Sequence, residues 1–146
     1  AFKDFHRLPL NTPDKDNTLN HGELIMSIDL PKSPYGGKSY YLKVRDRSSY
    51  AFALVSVAAG IEVLRNGTIR TSRIALGGVA HKPWRAEEAE KYLVGKKPDE
   101  AAFSEAAKIA MSKAQPLSDN AYKVKLAERS IIRALTNAFN GGSANK

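Results

Sequence analysis

Cysteine is absent from the 146 residues, so these residues form no disulfide, thiolate zinc site, cysteine nucleophile or cysteine-ligated iron–sulfur cluster. No stretch approaches the ~20 consecutive apolar residues that a membrane span requires. The start lacks an initiator methionine and the apolar stretch of a secretory signal, which indicates a fragment or a processed product. We therefore expect a soluble domain, and its compartment, cytoplasmic or periplasmic, stays open.

Acidic residues are in the minority, with 15 Asp and Glu against 23 Lys and Arg and a formal charge of +8. Such an excess suits nucleic acid, an anionic cofactor or an acidic protein partner. The cations are spread from Lys3 to Lys146, mostly singly and among acids, which favours a solvated surface over a dedicated patch. Because no aromatic-interleaved basic strand and no helix-turn-helix signal is present, we expect no nucleic-acid partner.

Several catalytic signatures are also missing. His6, His21 and His81 are too scattered to predict a metal site. The serine pair after residues 45–47 lacks the setting of an activated nucleophile. Residues 45–47, Arg-Asp-Arg, are more simply explained as a charge cluster that pins a turn, and anion or subunit binding is the sharper alternative. No phosphate-binding glycine signature occurs, and we expect no catalytic residue in this chain.

Strand patterns dominate the first half of the chain. Apolar residues at every second position predict half-buried strands over residues 24–30 and 40–44. Two segments rich in branched residues, 51–64 and 68–79, flank Asn66-Gly67 and predict an antiparallel hairpin with a type I′ turn. The first part of the 51–64 segment would also suit a buried helix.

Helical patterns fill the second half. Early acids and a late glycine predict a helix over residues 85–95. Apolar residues three and four apart predict a second helix that begins at Pro98-Asp99 and a third that follows Asp119 as its N-cap. Strands followed by helices, without βαβ alternation, predict an α+β fold in which an antiparallel four-stranded sheet carries three helices on one face.

The chain has the length of one ordinary domain. Turn-forming residues predict that residues 1–22 are a loop or extended lead-in, and the glycine-rich end predicts a disordered tail over 141–146. We therefore expect a single domain over residues 1–140.

The best site candidate joins the last predicted strand to the first predicted helix. Gly77 and Gly78 allow a flat ring to lie against the backbone, while amide protons, His81 or Lys82 can meet its carbonyl oxygens. In the simpler reading the glycines form a bulge or tight turn, and Trp84 is a core anchor.

These residues belong to a longer run, Gly-Gly-Val-Ala-His-Lys-Pro-Trp-Arg over 77–85, and the chain resembles a known family along nearly its whole length. It is similar to the C-terminal domain of FAD-binding subunits in the xanthine dehydrogenase, carbon monoxide dehydrogenase and bacterial aldehyde oxidoreductase family of molybdenum hydroxylases. The run at 77–85 looks closest to the aldehyde-oxidising bacterial branch. The landmarks of the resemblance are residues 4–7, 22–25, 41–47, 50–57, 75–85 and 133–135.

The resemblance implies a fold, a cofactor and partners. It implies the fold of the CO dehydrogenase flavoprotein C-terminal domain, whose N-terminal neighbour, absent here, holds most of the FAD. It also implies a molybdopterin-binding large subunit and an iron–sulfur small subunit, with electrons passing through FAD to an acceptor. Ile74, Gly77 and Gly78 are the implied flavin neighbours, and His81, Lys82 and Trp84 are additional candidates. The alternative is a non-catalytic α+β binding or scaffold domain without a flavin role.

Overall fold

A computed structural model describes residues 2–142 of the chain. No helix in this part of the chain is long and apolar enough to cross a membrane. The elements, in chain order, are α1 (Phe2–Phe5), β1 (Ser39–Val44), β2 (Val55–Val63), β3 (Ile69–Gly77), β4 (Trp84–Arg85), α2 (Glu87–Leu93), α3 (Glu100–Met111) and α4 (Tyr122–Phe139).

The strands form one four-stranded sheet in the order β1-β2-β3-β4, and every neighbouring pair is antiparallel. The predicted β2–β3 hairpin is confirmed, but its type I′ turn is wrong. That turn needs positive φ at two residues, whereas here Gly67 has φ +83° and Asn66 does not have a positive φ. Instead, Asn66 Oδ1 accepts a hydrogen bond from the backbone N–H of Thr68 at 3.0 Å. The Asn66 side chain thus stabilises the turn without a left-handed backbone conformation at that residue.

Three helices cover one face of this sheet, as predicted. Helix α4 packs on β1 and β2, α2 packs on β3, and α3 packs against both other helices. The strand side chains that face the helices are buried, and alanines on the helices allow close packing. The large buried side chains at the centre include Val57, Ile61, Ile74, Leu76, Phe103, Ile131 and Leu135.

Of the two helix N-caps predicted from the sequence, Asp99 is confirmed and Asp119 is wrong. Asp99 Oδ1 accepts from the Ala102 N–H at 2.8 Å and caps α3, as expected. Helix α4 ends in a Schellman motif, in which the N–H of Gly142 donates to the Asn137 carbonyl at 2.8 Å. The prediction of Asp119 as the N-cap of α4 is wrong, because residues 117–120 form a separate turn and α4 begins after Ala121.

Two parts of the predicted strand pattern are corrected. Residues 24–30 form no strand, because a strand requires a hydrogen-bonded neighbour and none of the described residues supplies one. Their apolar side chains are exposed, for example 90% at Met26 and 74% at Ile28. The fourth strand is instead Trp84–Arg85, where the sequence predicts the start of a helix.

The two ends of the chain bear on the predicted domain limits. Within the predicted lead-in, residues 2–5 form α1 and His6 makes a β-bridge with Asn17. Gly141 and Gly142 complete the end of α4. The rest of the predicted disordered tail, 143–146, lies outside the described residues.

The exposure of residues 24–30 predicts how the isolated chain responds to substitution. Replacing Met26 by Gln or Ile28 by Thr should change the free energy of unfolding by less than about 0.5 kcal/mol, because neither side chain is packed. Replacing the fully buried Ile131 by Ala should cost about 2–5 kcal/mol. Urea unfolding measures all three, and a loss above about 1 kcal/mol at Met26 would show that this segment is packed.

Candidate functional site

Two loops lie side by side at one end of the sheet. The glycine loop, residues 77–83, leaves the end of β3 and leads to β4, and the aromatic loop, residues 45–54, connects β1 to β2. Antiparallel pairing brings the end of β1, the start of β2 and the end of β3 together, since Val44 pairs with Val55 and Ser56 pairs with Gly77. The loops therefore form one continuous surface.

Each glycine leaves room for a close neighbour: Gly78 for the backbone of the aromatic loop, and Gly77 for the Ser56 side chain near the start of β2. A Cβ at Gly77 would lie 2.6 Å from Ser56 Oγ, and a Cβ at Gly78 would lie 2.9 Å from the Ala53 carbonyl oxygen. Gly78 also has φ +75°, a conformation that other residues rarely adopt. Lys123, in the first turn of α4, donates to the Gly78 carbonyl at 3.2 Å. The turn is tight, as the simpler reading expected, and Gly78 is nevertheless exposed to solvent.

The predicted site residues differ in how deeply they are buried. Gly78, His81 and Lys82 are exposed on the glycine loop, and Trp84 is half-buried and packs against the core. Ile74 is fully buried among the helix-facing side chains. Its side chain has no surface to offer a ligand, so Ile74 supports the loop from beneath.

A groove of about 930 Å³ runs beside the glycine loop, between the segment 80–89 and α3. Lys82 and Trp84 line it together with Glu88, Ile109 and Lys113, so the groove combines apolar surface with charges of both signs. Lys113 Nζ lies 2.7 Å from Glu88 Oε1, and this ammonium group lowers the pKa of the Glu88 carboxyl group.

A second, shallower groove of about 470 Å³ lies on the sheet face that the helices leave uncovered. Its floor includes Ala58 and Ala75, which pair across β2 and β3, and Tyr41 lies beside them. Ala75 and Arg85 line both grooves, so the two meet at the junction of β3 and β4.

The aromatic loop carries two exposed aromatic side chains that sequence reasoning missed as site candidates. Tyr50 is 95% exposed and Phe52 is 98% exposed. Arg47 donates from Nη2 to the Tyr50 carbonyl, so the predicted turn is pinned by Arg47 of the charge cluster. Phe52 stands in the segment 51–64 that the sequence assigns to a strand, which hid its exposure, and Tyr50 lies directly before that segment.

The described residues contain no group of three His, Asp or Glu side chains close enough together to hold a metal ion. The exposed glycine backbone, the aromatic side chains and Lys82 fit one side of a flat, polar ring system. Nothing in this part of the chain forms a glycine-rich cradle for a diphosphate. The site therefore fits a flavin ring better than it fits a whole dinucleotide.

The chain is an α+β domain: a four-stranded antiparallel sheet carries three helices on one face. The glycine loop and the aromatic loop lie together at one end of that sheet. The chain belongs to the CO dehydrogenase flavoprotein C-terminal domain family, whose model matches residues 40–138. The resemblance predicted from the sequence is thereby confirmed.

Named relatives agree with this membership. The chain is 44% identical over 138 residues to the aldehyde oxidoreductase FAD-binding subunit PaoB of Escherichia coli, covering 94% of this chain and 40% of that relative. It is 35% identical over 125 residues to the carbon monoxide dehydrogenase medium chain of Afipia carboxidovorans, covering 82% of this chain and 42% of that relative. The higher identity to PaoB agrees with the predicted resemblance to the aldehyde-oxidising branch.

A solved structure shares the fold. The chain matches reconstituted CO dehydrogenase from Oligotropha carboxidovorans with a TM-score of 0.69 and 29% identity, covering 77% of this chain and 40% of that one. The chain thus spans about 40% of the length of the relatives it matches.

The contact between the two loops can be tested with a pair of glycine substitutions. Gly67→Ala should cost about 1–2 kcal/mol of unfolding free energy, because φ is +83° but the space around it is open. Gly78→Ala should cost at least about 1 kcal/mol more, because the Ala53 carbonyl must also move. Urea unfolding of both variants measures the difference. Equal losses would mean that the loops do not press on each other.

Proposed function

We propose that this chain forms one wall of the flavin cleft, and part of the subunit interface, in the FAD-binding subunit of a molybdenum hydroxylase. The observation that carries the proposal is the exposed glycine backbone beside two fully exposed aromatic side chains at one end of the sheet. The names of the relatives support it, since one is the FAD-binding subunit of an aldehyde oxidoreductase.

Each exposed group has a role that its chemistry suits. Backbone at Gly77 and Gly78 lies against the edge or face of the isoalloxazine ring, where a side chain would keep the ring away. Phe52 offers an aromatic face for offset or edge-to-face contact. Lys82 and His81 donate hydrogen bonds toward ring carbonyl oxygens.

Most of the FAD is held elsewhere. The described residues offer no diphosphate cradle, and the chain spans about 40% of the length of its relatives. We place the adenine and diphosphate sites in polypeptide that precedes this domain in the full subunit. The domain on its own therefore binds FAD weakly or not at all, and it has no activity by itself.

The reaction steps of the proposed complex take place at cofactors, not at side chains of this domain. In the proposed assembly, a molybdopterin-binding large subunit oxidises an aldehyde or an N-heterocycle, and an iron–sulfur small subunit relays the electrons. FAD, when bound, supplies the redox centre that hands these electrons to an external acceptor. The residues of this chain position the ring, exclude water from one side of it and donate hydrogen bonds, and none acts as an acid or base.

The flavin-wall role can be tested in the full-length subunit. Phe52→Ala should raise the Kd for FAD by about tenfold, because loss of an aromatic–ring contact is worth about 1–3 kcal/mol. Lys82→Ala should weaken FAD binding and shift the flavin absorption band. Equilibrium dialysis and absorption spectra of the FAD-loaded subunit give both values.

Matched controls stand at the opposite end of the sheet. Leu64→Ala removes an apolar side chain that is 44% exposed next to the β2–β3 turn. Lys97→Ala removes an exposed lysine near the start of β3. Both should leave FAD affinity and spectrum unchanged. If Phe52→Ala and Lys82→Ala behave like these controls, the chain is a scaffold and the flavin-wall role is wrong.

A further inference from the structure

Glu90 is a buried carboxylate at the place where the glycine loop rejoins the sheet. It is 6% exposed and is the only charged side chain among the described residues that is buried. Burial of a carboxylate is costly unless it is paired and hydrogen-bonded on several sides. The burial of Glu90 therefore needs a structural explanation, which its hydrogen-bond partners provide.

The carboxylate has donors on both oxygens. Glu90 Oε1 accepts from the Ile74 backbone N–H at 2.8 Å and from Arg85 Nε at 3.1 Å. Glu90 Oε2 accepts from Arg85 Nη2 at 2.8 Å and from Arg73 Nη1 at 3.5 Å. Arg85 thus forms a two-pronged contact, which fixes the orientation of its guanidinium group more firmly than a single hydrogen bond.

The hydrogen bond from Ile74 shows what the carboxylate replaces. Ala86 donates its N–H to the Ile74 carbonyl at 3.0 Å, as the next residue of β4 would. Its carbonyl, however, accepts from the Glu90 N–H at 3.0 Å and has entered the first turn of α2. Antiparallel pairing would have used that carbonyl for the Ile74 N–H, and Glu90 Oε1 takes its place.

The carboxylate of Glu90, in the place of a backbone carbonyl, explains how so short a strand stays attached to β3. Strand β4 has two residues and pairs with β3 only at Ala75–Arg85 and Leu76–Trp84. Glu90 extends the attachment by one backbone hydrogen bond and binds the side chain of Arg85 at the same time. The far end of the glycine loop is therefore anchored by a side chain on α2 as well as by the sheet.

We propose that Glu90 is a positioning residue for the glycine loop, and thereby for the flavin ring that the proposed function places against that loop. Glu90 holds β4 on β3 through Ile74 and Arg85. It also fixes the Arg85 guanidinium where the two grooves meet. Without this carboxylate the loop keeps its anchor at Gly77 and loses part of the anchor at Trp84.

The first experiment uses the chain as it is. Glu90→Gln keeps the side-chain shape but removes the charge and places an NH2 group near Arg85. Amide hydrogen exchange at Ile74 and Ala86, whose N–H groups donate to Glu90 Oε1 and to the Ile74 carbonyl, should accelerate at least about tenfold, because a charge-assisted network at a local opening site is lost. Exchange at Val57 in the sheet centre should change far less. Emission from Trp84, the only tryptophan in the chain, should also shift.

Two further variants make the experiment specific. Glu88→Gln is the control, because Glu88 lies on the same helix but is exposed and pairs with Lys113. It should leave exchange at Ile74 and Ala86 unchanged. Arg85→Lys keeps the positive charge but loses the two-pronged geometry, so its effect should lie between those of the other two variants. Equal acceleration at Val57 and Ile74 in Glu90→Gln, or no acceleration at all, overturns the positioning role.

A second readout separates this inference from the proposed function. In the full-length subunit loaded with FAD, Glu90→Gln should broaden the flavin absorption band and speed FAD release severalfold. Glu105→Gln, which removes an exposed carboxylate on α3 that lines neither groove, should not. If the loop loosens while the FAD spectrum and release rate stay unchanged, the positioning of the loop stands and its link to a flavin is overturned. If the loop does not loosen, the positioning role itself is wrong, whatever FAD binding shows.

Discussion

The burial of one sheet face beneath three helices is the constraint on which the rest of the structure depends. Alternating side chains send Val57, Ile61 and Leu76 into the core, and the alanines of α3 and α4 let the helices approach closely. The three helices leave the opposite sheet face uncovered, and Tyr35 packs on it at Gly60. Because consecutive strands run antiparallel, the glycine loop and the aromatic loop meet at one end of the sheet.

Backbone contact between those loops explains why residue 78 is a glycine, independently of any ligand. Its neighbours Ala53 and Leu54 leave no room for a Cβ on one side, while the residue is exposed to solvent. This packing role is compatible with the proposed contact to a flavin, because Gly78 keeps solvent-exposed surface. Phe52 is 98% exposed in the loop that makes this contact, so its side chain adds no burial free energy to the domain by itself.

The parts of the fold that the sequence predicted well depend on local signals. The face of α3 and the cap at Asp99 follow from spacing and side-chain chemistry within one or two helical turns. The strand expected over residues 24–30 shows the limit of such signals: its alternation is present, but pairing needs a partner that the described residues do not supply. Strand β4 has the pairing but not the pattern, because two residues show no periodicity. The side chain of Glu90 supplements its attachment to β3 through the Ile74 N–H.

The sequence by itself determined the fold class, the helix-facing stripes and the family, because periodicity and motif order are properties of neighbouring residues. It also singled out Gly77 and Gly78. Only the tertiary structure decided that Ile74 is buried, that Phe52 is exposed and that Glu90 lies under β4. These properties depend on contacts between segments far apart in the chain, and a linear pattern does not specify which segments come together.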